Sequence, residues 1–211
     1  MNNLWTIREA AAIAGIPVKA FRLMIEREGT RPEPAQDGRQ RTGRLVSMRD
    51  LVYIKLLAEF PFSLEKSQKT AIEDLLRGRR PKPWCGGGDW QANGQELVLQ
   101  TGNLAVRVDC SHVRETLAKN AAAFDWGQRR IVSDYAVLNG EPIFRGTRTA
   151  LARVEAAIRN GATDSDLASQ FPELSETDLD YARIHARLGK RPGRPRKARK
   201  AIDTEQSAQA A

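Results

Sequence analysis

The sequence has little of the chemistry on which disulfide scaffolds and many enzymes depend. Among its 211 residues are only two cysteines, Cys85 and Cys110, and two histidines, His112 and His185. So few cysteines exclude a disulfide framework. The N-terminus MNNLWTIREA has no apolar signal core, and no apolar run reaches the length of a membrane span. These absences predict a soluble, cytoplasmic protein without contact to a membrane.

Motifs for catalysis or for a bound cofactor are also lacking. Neither a phosphate-binding loop nor a dinucleotide fingerprint occurs, and the GGG run at 86–88 has no lysine after it. Cys85, Cys110 and His112 match no common zinc spacing and lack a fourth ligand. We therefore expect no enzymatic activity, no cofactor and no metal, and we expect Cys110 to be a small apolar residue at the end of a hairpin.

Positive charge, in contrast, is abundant and unevenly distributed. The formal net charge is +8, and seven lysines and arginines lie in the tail GKRPGRPRKARK at 189–200. Subtracting these seven charges from +8 leaves +1 for the rest of the chain. A concentrated basic segment favours a polyanion such as DNA or RNA as partner. We expect residues 189–211 to be disordered.

The first 80 residues have the pattern of a helix-turn-helix unit. Thr6 and Glu9 have capping-box spacing before a helix that ends at Gly15, and a second helix is predicted from Val18 to about Glu28. Lys19 and Arg22 occupy the exposed face of this second helix, which predicts contact with DNA. The polar loop at 32–44 adds three further candidates: Arg39, Arg41 and Arg44. A three-helix core with ordinary surface charges is the alternative.

The sequence of this segment is similar to that of a known family. LWTIREAAAIAGIPVKAFRLMIEREG resembles the first half of the winged-helix domain of MerR-type regulators, and the resemblance extends over roughly residues 4–57. It implies that Arg22 stands where the recognition helix of that family carries a basic residue. It also implies that the loop up to Arg44 corresponds to the wing, although the loop at 30–43 is longer and richer in proline. We assign residues 1–80 to this domain.

A middle segment is predicted to join two domains. Prolines and glycines mark 81–95 as a linker. ELVLQ and LAVRVD then form a hairpin around Gly102-Asn103, and a helix capped by Ser111 is expected to run to about Phe124. We interpret 96–125 as a possible dimerisation segment.

Residues 126–188 are predicted to contain short strands, turns and three helices, the second capped by Thr163 or its neighbours and the third by Ser175. In the core GEPIFRGTR, the side chains of Arg145, Thr147 and Arg148 could hold a phosphate or an acidic partner. The alternative is that the two arginines pair with carboxylates of this chain. The carboxylates considered are Asp134, Asp178 and Asp180.

The last helix opens with SETDLDY, whose carboxylates suit a helix N-terminus but repel phosphate. We therefore expect this C-terminal unit to contact protein, and the N-terminal unit to read DNA.

The segment 130–188 resembles a DUF433 domain. The resemblance rests on R-I-V-x-D, N-G-E-P-I-F-R-G-T-R, N-G-A-T and F-P-E-L-S-E-T-D-L. It implies an antitoxin of a type II toxin–antitoxin module whose partner is a PIN-like ribonuclease toxin. The order of units over 1–188 is similar to that of VapB-type antitoxins. Basic side chains of such a protein could occupy the acidic metal cluster of the toxin, and the tail is one candidate for this role.

The tail itself resembles an AT-hook, with Gly193-Arg194-Pro195 as its core. Extended arginines of this kind enter a narrow A·T minor groove. Pro192 stands where the usual motif has arginine, so an unspecific basic tail is the alternative. The predicted DNA contacts of the tail are Lys190, Arg191, Arg194, Arg196 and Lys197.

These observations predict a mainly α fold with short β hairpins, in which a hairpin–helix segment joins two helix-turn-helix-type domains and a disordered basic tail follows. The predicted function is that of an antitoxin. It would neutralise a PIN-like ribonuclease toxin and, as a homodimer, bind double-stranded operator DNA to repress its own operon. The alternative is a stand-alone transcription regulator or nucleoid-associated protein without a toxin.

Overall fold

The fold is mainly helical with short antiparallel hairpins, as predicted. A computed structural model describes residues 4–28, 45–60, 64–76, 88–93, 96–101, 103–133 and 138–189. Within these ranges the chain forms eight α-helices and seven short strands. The loop predicted at 32–44 and the tail after Gly189 lie outside the described residues.

The N-terminal unit forms because two capping boxes start its helices. Thr6 and Glu9 bond reciprocally at the start of α1, and Ser47 and Asp50 do the same at the start of α3. Gly15 ends α1 in the left-handed conformation at φ 69°. The elements are β1 (Leu4–Thr6), α1 (Ile7–Ala14), α2 (Val18–Glu28), β2 (Leu45–Ser47), α3 (Met48–Glu59) and α4 (Lys66–Leu76), with β1 antiparallel to β2.

The middle segment is a three-stranded antiparallel sheet, β3 (Gly88–Asn93), β4 (Glu96–Thr101) and β5 (Leu104–Asp109). The predicted hairpin around 102–103 is confirmed, since Thr101 faces Leu104. The prediction of a linker over 81–95 is wrong for Gly88–Asn93, which pairs with β4 along its whole length. A two-stranded hairpin alone is marginally stable, and the third strand covers one of its open edges.

The helix after the sheet, α5 (Ser111–Arg130), is longer than predicted. Ser111 is not its cap but its first residue, and both the amide and the hydroxyl of Ser111 donate to Asp109 Oδ1, at 2.7 and 2.5 Å. The helix continues past Phe124 because Phe124 and Gly127 are buried against the last helix of the chain. The predicted boundary between residues 125 and 126 therefore falls inside a helix.

The C-terminal unit begins with a small hairpin and ends with three helices. Capping boxes at Thr163–Asp166 and Ser175–Asp178 start the last two helices, as predicted, and Gly161 follows the first of the three at φ 84°. The elements are β6 (Ile131–Val132), a 3-10 turn (Leu138–Gly140), β7 (Ile143–Phe144), α6 (Leu151–Arg159), α7 (Asp164–Gln170) and α8 (Glu176–Leu188).

The two helix-turn-helix-type units share one core. Buried residues from Trp5 to Ile184 form a single cluster, and α5 packs against α1, α3 and α8. Polar contacts reinforce the junction, since Asn120 Nδ2 donates to Ile13 O at 2.9 Å and Arg8 Nη2 donates to Leu188 O at 2.7 Å. The hairpin–helix segment thus does more than connect the units, because α5 forms part of the core of both.

Among the described residues, each helix is too short or too polar to cross a membrane.

Candidate functional site

The outward face of α2 carries the two cations that were predicted to contact DNA. Phe21 and Ile25 are buried on the inner face of α2, whereas Lys19 and Arg22 are exposed, one helical turn apart. The first turn of α2 holds no acidic residue. Within the described part of the chain, neither cation is used in an ion pair, so both remain free for an anionic ligand.

The other predicted DNA contacts lie outside the described residues. They are the loop residues Arg39, Arg41 and Arg44 and the tail residues Lys190, Arg191, Arg194, Arg196 and Lys197.

An arginine of the last helix stands beside the turn between α1 and α2. Arg187 is exposed, and its Nη1 donates to Ala12 O at 3.4 Å. The same Nη1 lies 3.4 Å from the position that a Cβ at Gly15 would occupy. The C-terminal unit thereby adds a cation to the edge of the helix-turn-helix. No local pattern in the sequence could reveal this contact, because 172 residues separate Arg187 from Gly15.

The predicted arginine turn after β7 is well defined. The Arg145 amide donates to Arg130 O at 2.9 Å, and Gly146 permits the turn at φ 79°. The side chains of Arg145 and Arg148 are exposed. Thr147 behaves differently, because its hydroxyl donates to Phe144 O at 2.8 Å and accepts from the Thr149 amide at 3.1 Å. Its only hydroxyl proton serves the turn, so we restrict the partner site at this turn to the two arginines.

The expectation that Arg145 and Arg148 pair with Asp178 or Asp180 is wrong. Asp178 lies 3.4 Å from Arg130 Nε, and Asp180 Oδ1 accepts from Arg183 Nη1 at 2.8 Å. Asp178 does not pair with Arg145 or Arg148 because its carboxylate is buried beside Arg130 at the end of α5, whereas the two arginine side chains are exposed. The third expected partner, Asp134, lies outside the described residues.

Asp178 organises this end of the molecule, although it is only 1 % exposed. One carboxylate oxygen caps α8 through Ser175, at 2.8 Å from its hydroxyl. The other accepts from the indole N–H of Trp126 at 3.3 Å and faces Arg130 Nε. That Arg130 nitrogen is buried without an aligned hydrogen bond, so the contact with Asp178 is an ion pair only.

Sequence reasoning missed an aromatic and two arginines at the C-terminal end of α5. Trp126 is 45 % exposed, and Arg129 and Arg130 follow at helical spacings of three and four, which place all three on one side of α5. This spacing can be read from the sequence, but the predicted helix ended at about Phe124 and so did not include these three residues. We name the set Trp126, Arg129, Arg130, Arg145 and Arg148 the Arg–Trp surface.

The titratable groups with a shifted pKa owe the shift to hydrogen bonds or burial within the fold. Hydrogen bonds from Ser111, Thr163 and Thr149 lower the pKa of Asp109, Asp166 and Glu173, respectively. Burial raises the pKa of the Cys110 thiol, which is buried beside the end of β5 as predicted. Within the described ranges, no three potential metal ligands lie together. The shifted pKa values of these carboxylates and of the thiol therefore follow from hydrogen bonds and burial within the fold.

Comparisons with known proteins assign the C-terminal unit only. Residues 131–186 match a protein family described as "Protein of unknown function (DUF433)". This match covers β6 to nearly the end of α8 and confirms the resemblance of that segment. A search of curated proteins and a search of solved structures each returned no match.

Proposed function

We propose that the protein is a DNA-binding antitoxin of a type II toxin–antitoxin system. In this proposal the MerR-like N-terminal unit reads operator DNA as a homodimer and represses the operon. The DUF433 domain binds and neutralises a PIN-like ribonuclease toxin, as in VapB-type antitoxins. The observation that carries the DNA-binding part is the pair of exposed, unpaired cations Lys19 and Arg22 on the second helix of a helix-turn-helix.

The placement of the two cations supports contact with a duplex. A recognition helix must bury one side and present donors on the other, and α2 does so with Phe21 and Ile25 inward. Arg187 stands beside the preceding turn, from which it can reach a flanking phosphate. The protein would then present cations from both of its units to one stretch of DNA.

The charge of α8 supports a division of labour between the two units. This helix is the counterpart of α2 in the C-terminal unit, but it opens with Glu176, Asp178 and Asp180. The Glu176 side chain is 83 % exposed and shares the single cation of Lys119 with Asp180, so its charge is only partly compensated and disfavours the phosphates of DNA. Binding of a protein partner is the role that this unit can fill.

The DNA-binding part is tested by a mobility-shift titration on the promoter DNA of the protein's own operon. We expect Lys19→Ala/Arg22→Ala to weaken binding about 10- to 100-fold, because two contacts to the duplex are lost. Arg107→Ala/Arg114→Ala removes the same charge from exposed positions on β5 and α5 and should bind like the unaltered protein. Equal affinity of all three proteins would exclude α2 as the reading helix.

The basic tail is proposed as an accessory grip on the same DNA. A chain that ends at Gly189 keeps the Leu188 carbonyl that Arg8 bonds, and the oxygen of Gly189 that accepts from Arg8 becomes part of the terminal carboxylate. Loss of the seven tail charges should weaken binding and flatten its salt dependence while the preference for the operator survives. An unchanged salt slope would show that the tail does not touch DNA.

The toxin-binding part is tested by co-expression with the product of the adjacent gene. We expect this product to be an acidic, PIN-like ribonuclease that is toxic alone and harmless in the complex. A neighbour that is neither toxic nor bound by the protein would favour the stand-alone regulator, for which the DNA-binding prediction is the same.

A further inference from the structure

The Arg–Trp surface presents an exposed tryptophan beside three arginines that have no carboxylate partner among the described residues. Trp126 exposes 45 % of its surface, and only Leu23 and Leu138 are comparable large apolar residues among those described. An exposed tryptophan of this kind is costly in water and is enriched in protein interfaces.

The surface is held in shape before any partner arrives. The Trp126 indole is fixed by its hydrogen bond to buried Asp178, whose second oxygen is fixed by the cap of α8. The arginine turn is fixed to the end of α5 by the bond from the Arg145 amide to Arg130 O. A rigid aromatic anchor loses little conformational entropy on binding, which favours affinity.

The charge of the surface is uncompensated. Arg130 faces Asp178, but Arg129, Arg145 and Arg148 have no carboxylate partner among the described residues. All four cations are arginines, whose planar guanidinium groups pair bidentately with carboxylates. Tryptophan and arginine are also the residues most enriched in the energetic centres of protein interfaces. The partner must therefore carry acidic side chains and an apolar patch.

A folded protein fits this surface better than a nucleic acid does. The exposed carboxylate of Glu176, which shares Lys119 with Asp180, stands two residues before Asp178, at the end of α8 that contacts Trp126. The surface also lies at the C-terminal end of α5, where the helix dipole is negative. A continuous phosphate backbone would be repelled by both, whereas a protein can place each of its charges separately.

We propose that the Arg–Trp surface docks an acidic face of the ribonuclease partner, an inference that rests on the proposed function. Trp126 packs on an apolar patch of the partner, and Arg129, Arg145 and Arg148 pair with carboxylates around it. The proposal places the main toxin contact on the DUF433 domain and the end of α5, and it leaves the basic tail free for DNA.

The test uses the full-length protein and the purified product of the adjacent gene, with binding measured by calorimetry. We expect Arg145→Glu/Arg148→Glu to weaken the complex about 10- to 100-fold, because two attractive contacts become repulsive. Trp126→Ala should weaken it to a similar extent. Arg114→Glu reverses an exposed charge elsewhere on α5, the helix that carries Trp126. This variant is the control and should bind like the unaltered protein.

Three results would overturn the proposal, and each has a different signature. If the unaltered protein does not bind the gene product, the proposed toxin partnership fails and this inference fails with it. If the unaltered protein and the arginine reversals bind equally well, the partnership stands but the surface is wrong. If the reversals lose promoter DNA and keep the complex, the surface belongs to a nucleic acid. Both arginines are exposed and unpaired, so the reversals should melt at the unaltered temperature, which a thermal scan verifies.

Discussion

At the residue scale, Gly127 of α5 lies in close contact with Tyr181 of α8. A Cβ at Gly127 would lie 1.9 Å from Tyr181 Cγ. This distance is far below van der Waals contact, so only glycine fits at this position. The Tyr181 ring also packs against Phe124 and His185, with ring centroids 6.0 and 5.5 Å away. Burial of the phenol, followed by the charges of Glu155 and Glu9, raises its pKa to about 12. The absence of a side chain at 127 thus sets how closely α5 and α8 approach.

We predict that Gly127→Ala destabilises the protein, although alanine is the better helix former. The methyl group forces α5 away from α8, and overpacking of this kind costs about 1–3 kcal/mol. Urea unfolding measures the loss. Gln128→Ala changes the exposed neighbour on α5 and serves as the control. A stability of Gly127→Ala equal to that of the control would mean that the helices are not in contact there.

At the scale of elements, α8 is stabilised at both ends by different parts of the chain. Its N-terminus is capped by Ser175 and Asp178, and Asp178 also binds Trp126 of α5. Its last carbonyls, at Leu188 and Gly189, accept from Arg8 of α1. By comparison, α7 has the same capping box at Thr163 and Asp166 but is exposed. Helices α7 and α8 therefore share a capping box, but the rest of the fold contacts the cap of α8 and leaves that of α7 exposed.

We predict that Asp178→Ala lowers the free energy of unfolding by about 1–3 kcal/mol, because it leaves the Trp126 indole without its acceptor, leaves Arg130 without its ion pair and removes a cap. Asp166→Ala removes only an exposed cap and should cost clearly less. Urea unfolding of the two variants in parallel provides the comparison. Equal losses would show that the buried contacts of Asp178 add nothing to its capping role.

Acid should affect the α7 cap in a defined direction. The hydroxyl of Thr163 holds the pKa of Asp166 below its ordinary value, so the bond contributes fully above that value. Its contribution is then lost as the pH falls through the lowered pKa. The stability difference between Asp166→Ala and the unaltered protein should therefore shrink in strong acid.

At the scale of the whole molecule, α1 to α3 and α5 to α8 share one hydrophobic core. The cluster of buried residues is continuous from Trp5 to Ile184, and the Trp5 indole donates to Asp125 of α5 at 3.4 Å. The inner face of α1 is covered by α5 and α8. Separation at the predicted boundaries would uncover it.

We predict that the unaltered protein unfolds in a single cooperative transition, with far-UV circular dichroism and tryptophan fluorescence changing together. A fragment of residues 1–80 should lack a cooperative transition, because the apolar face of α1 would lose its cover. Two separate transitions in the full-length protein, or a stable 1–80 fragment, would contradict a shared core.

Local signals in the sequence predicted most of the helices. Three helices, α1, α7 and α8, begin within the capping box that the sequence pattern indicates. A capping box joins residues that are three positions apart, so it can be predicted from the sequence without knowing the fold. The exposed faces of α2 and of the turn after β7 were predictable for the same reason. Helical spacing predicted that Lys19 and Arg22 point away from Phe21.

Contacts between distant segments were not predictable. The helix α5 extends to Arg130 because Tyr181 covers Gly127, and β3 forms because β4 has a free edge. The pairing of Asp178 with Arg130 instead of Arg145 depends on which group reaches the buried position. A single sequence does not reveal these contacts, since each one joins residues that are far apart in the chain.

The sequence by itself determined the helix starts, the turns at glycine, the hairpin of β4 and β5, and the resemblance of 130–188 to DUF433. It also determined which cations of α2 face outward, because each of these features depends on residues within a few positions of one another. Only the tertiary structure decided that the two units share a core, that Arg187 stands beside Gly15, and that the turn with Arg145 lies against the end of α5 at Arg130. The physical reason is that burial and ion pairing depend on distance in space, and packing of α5 against α8 brings those groups together.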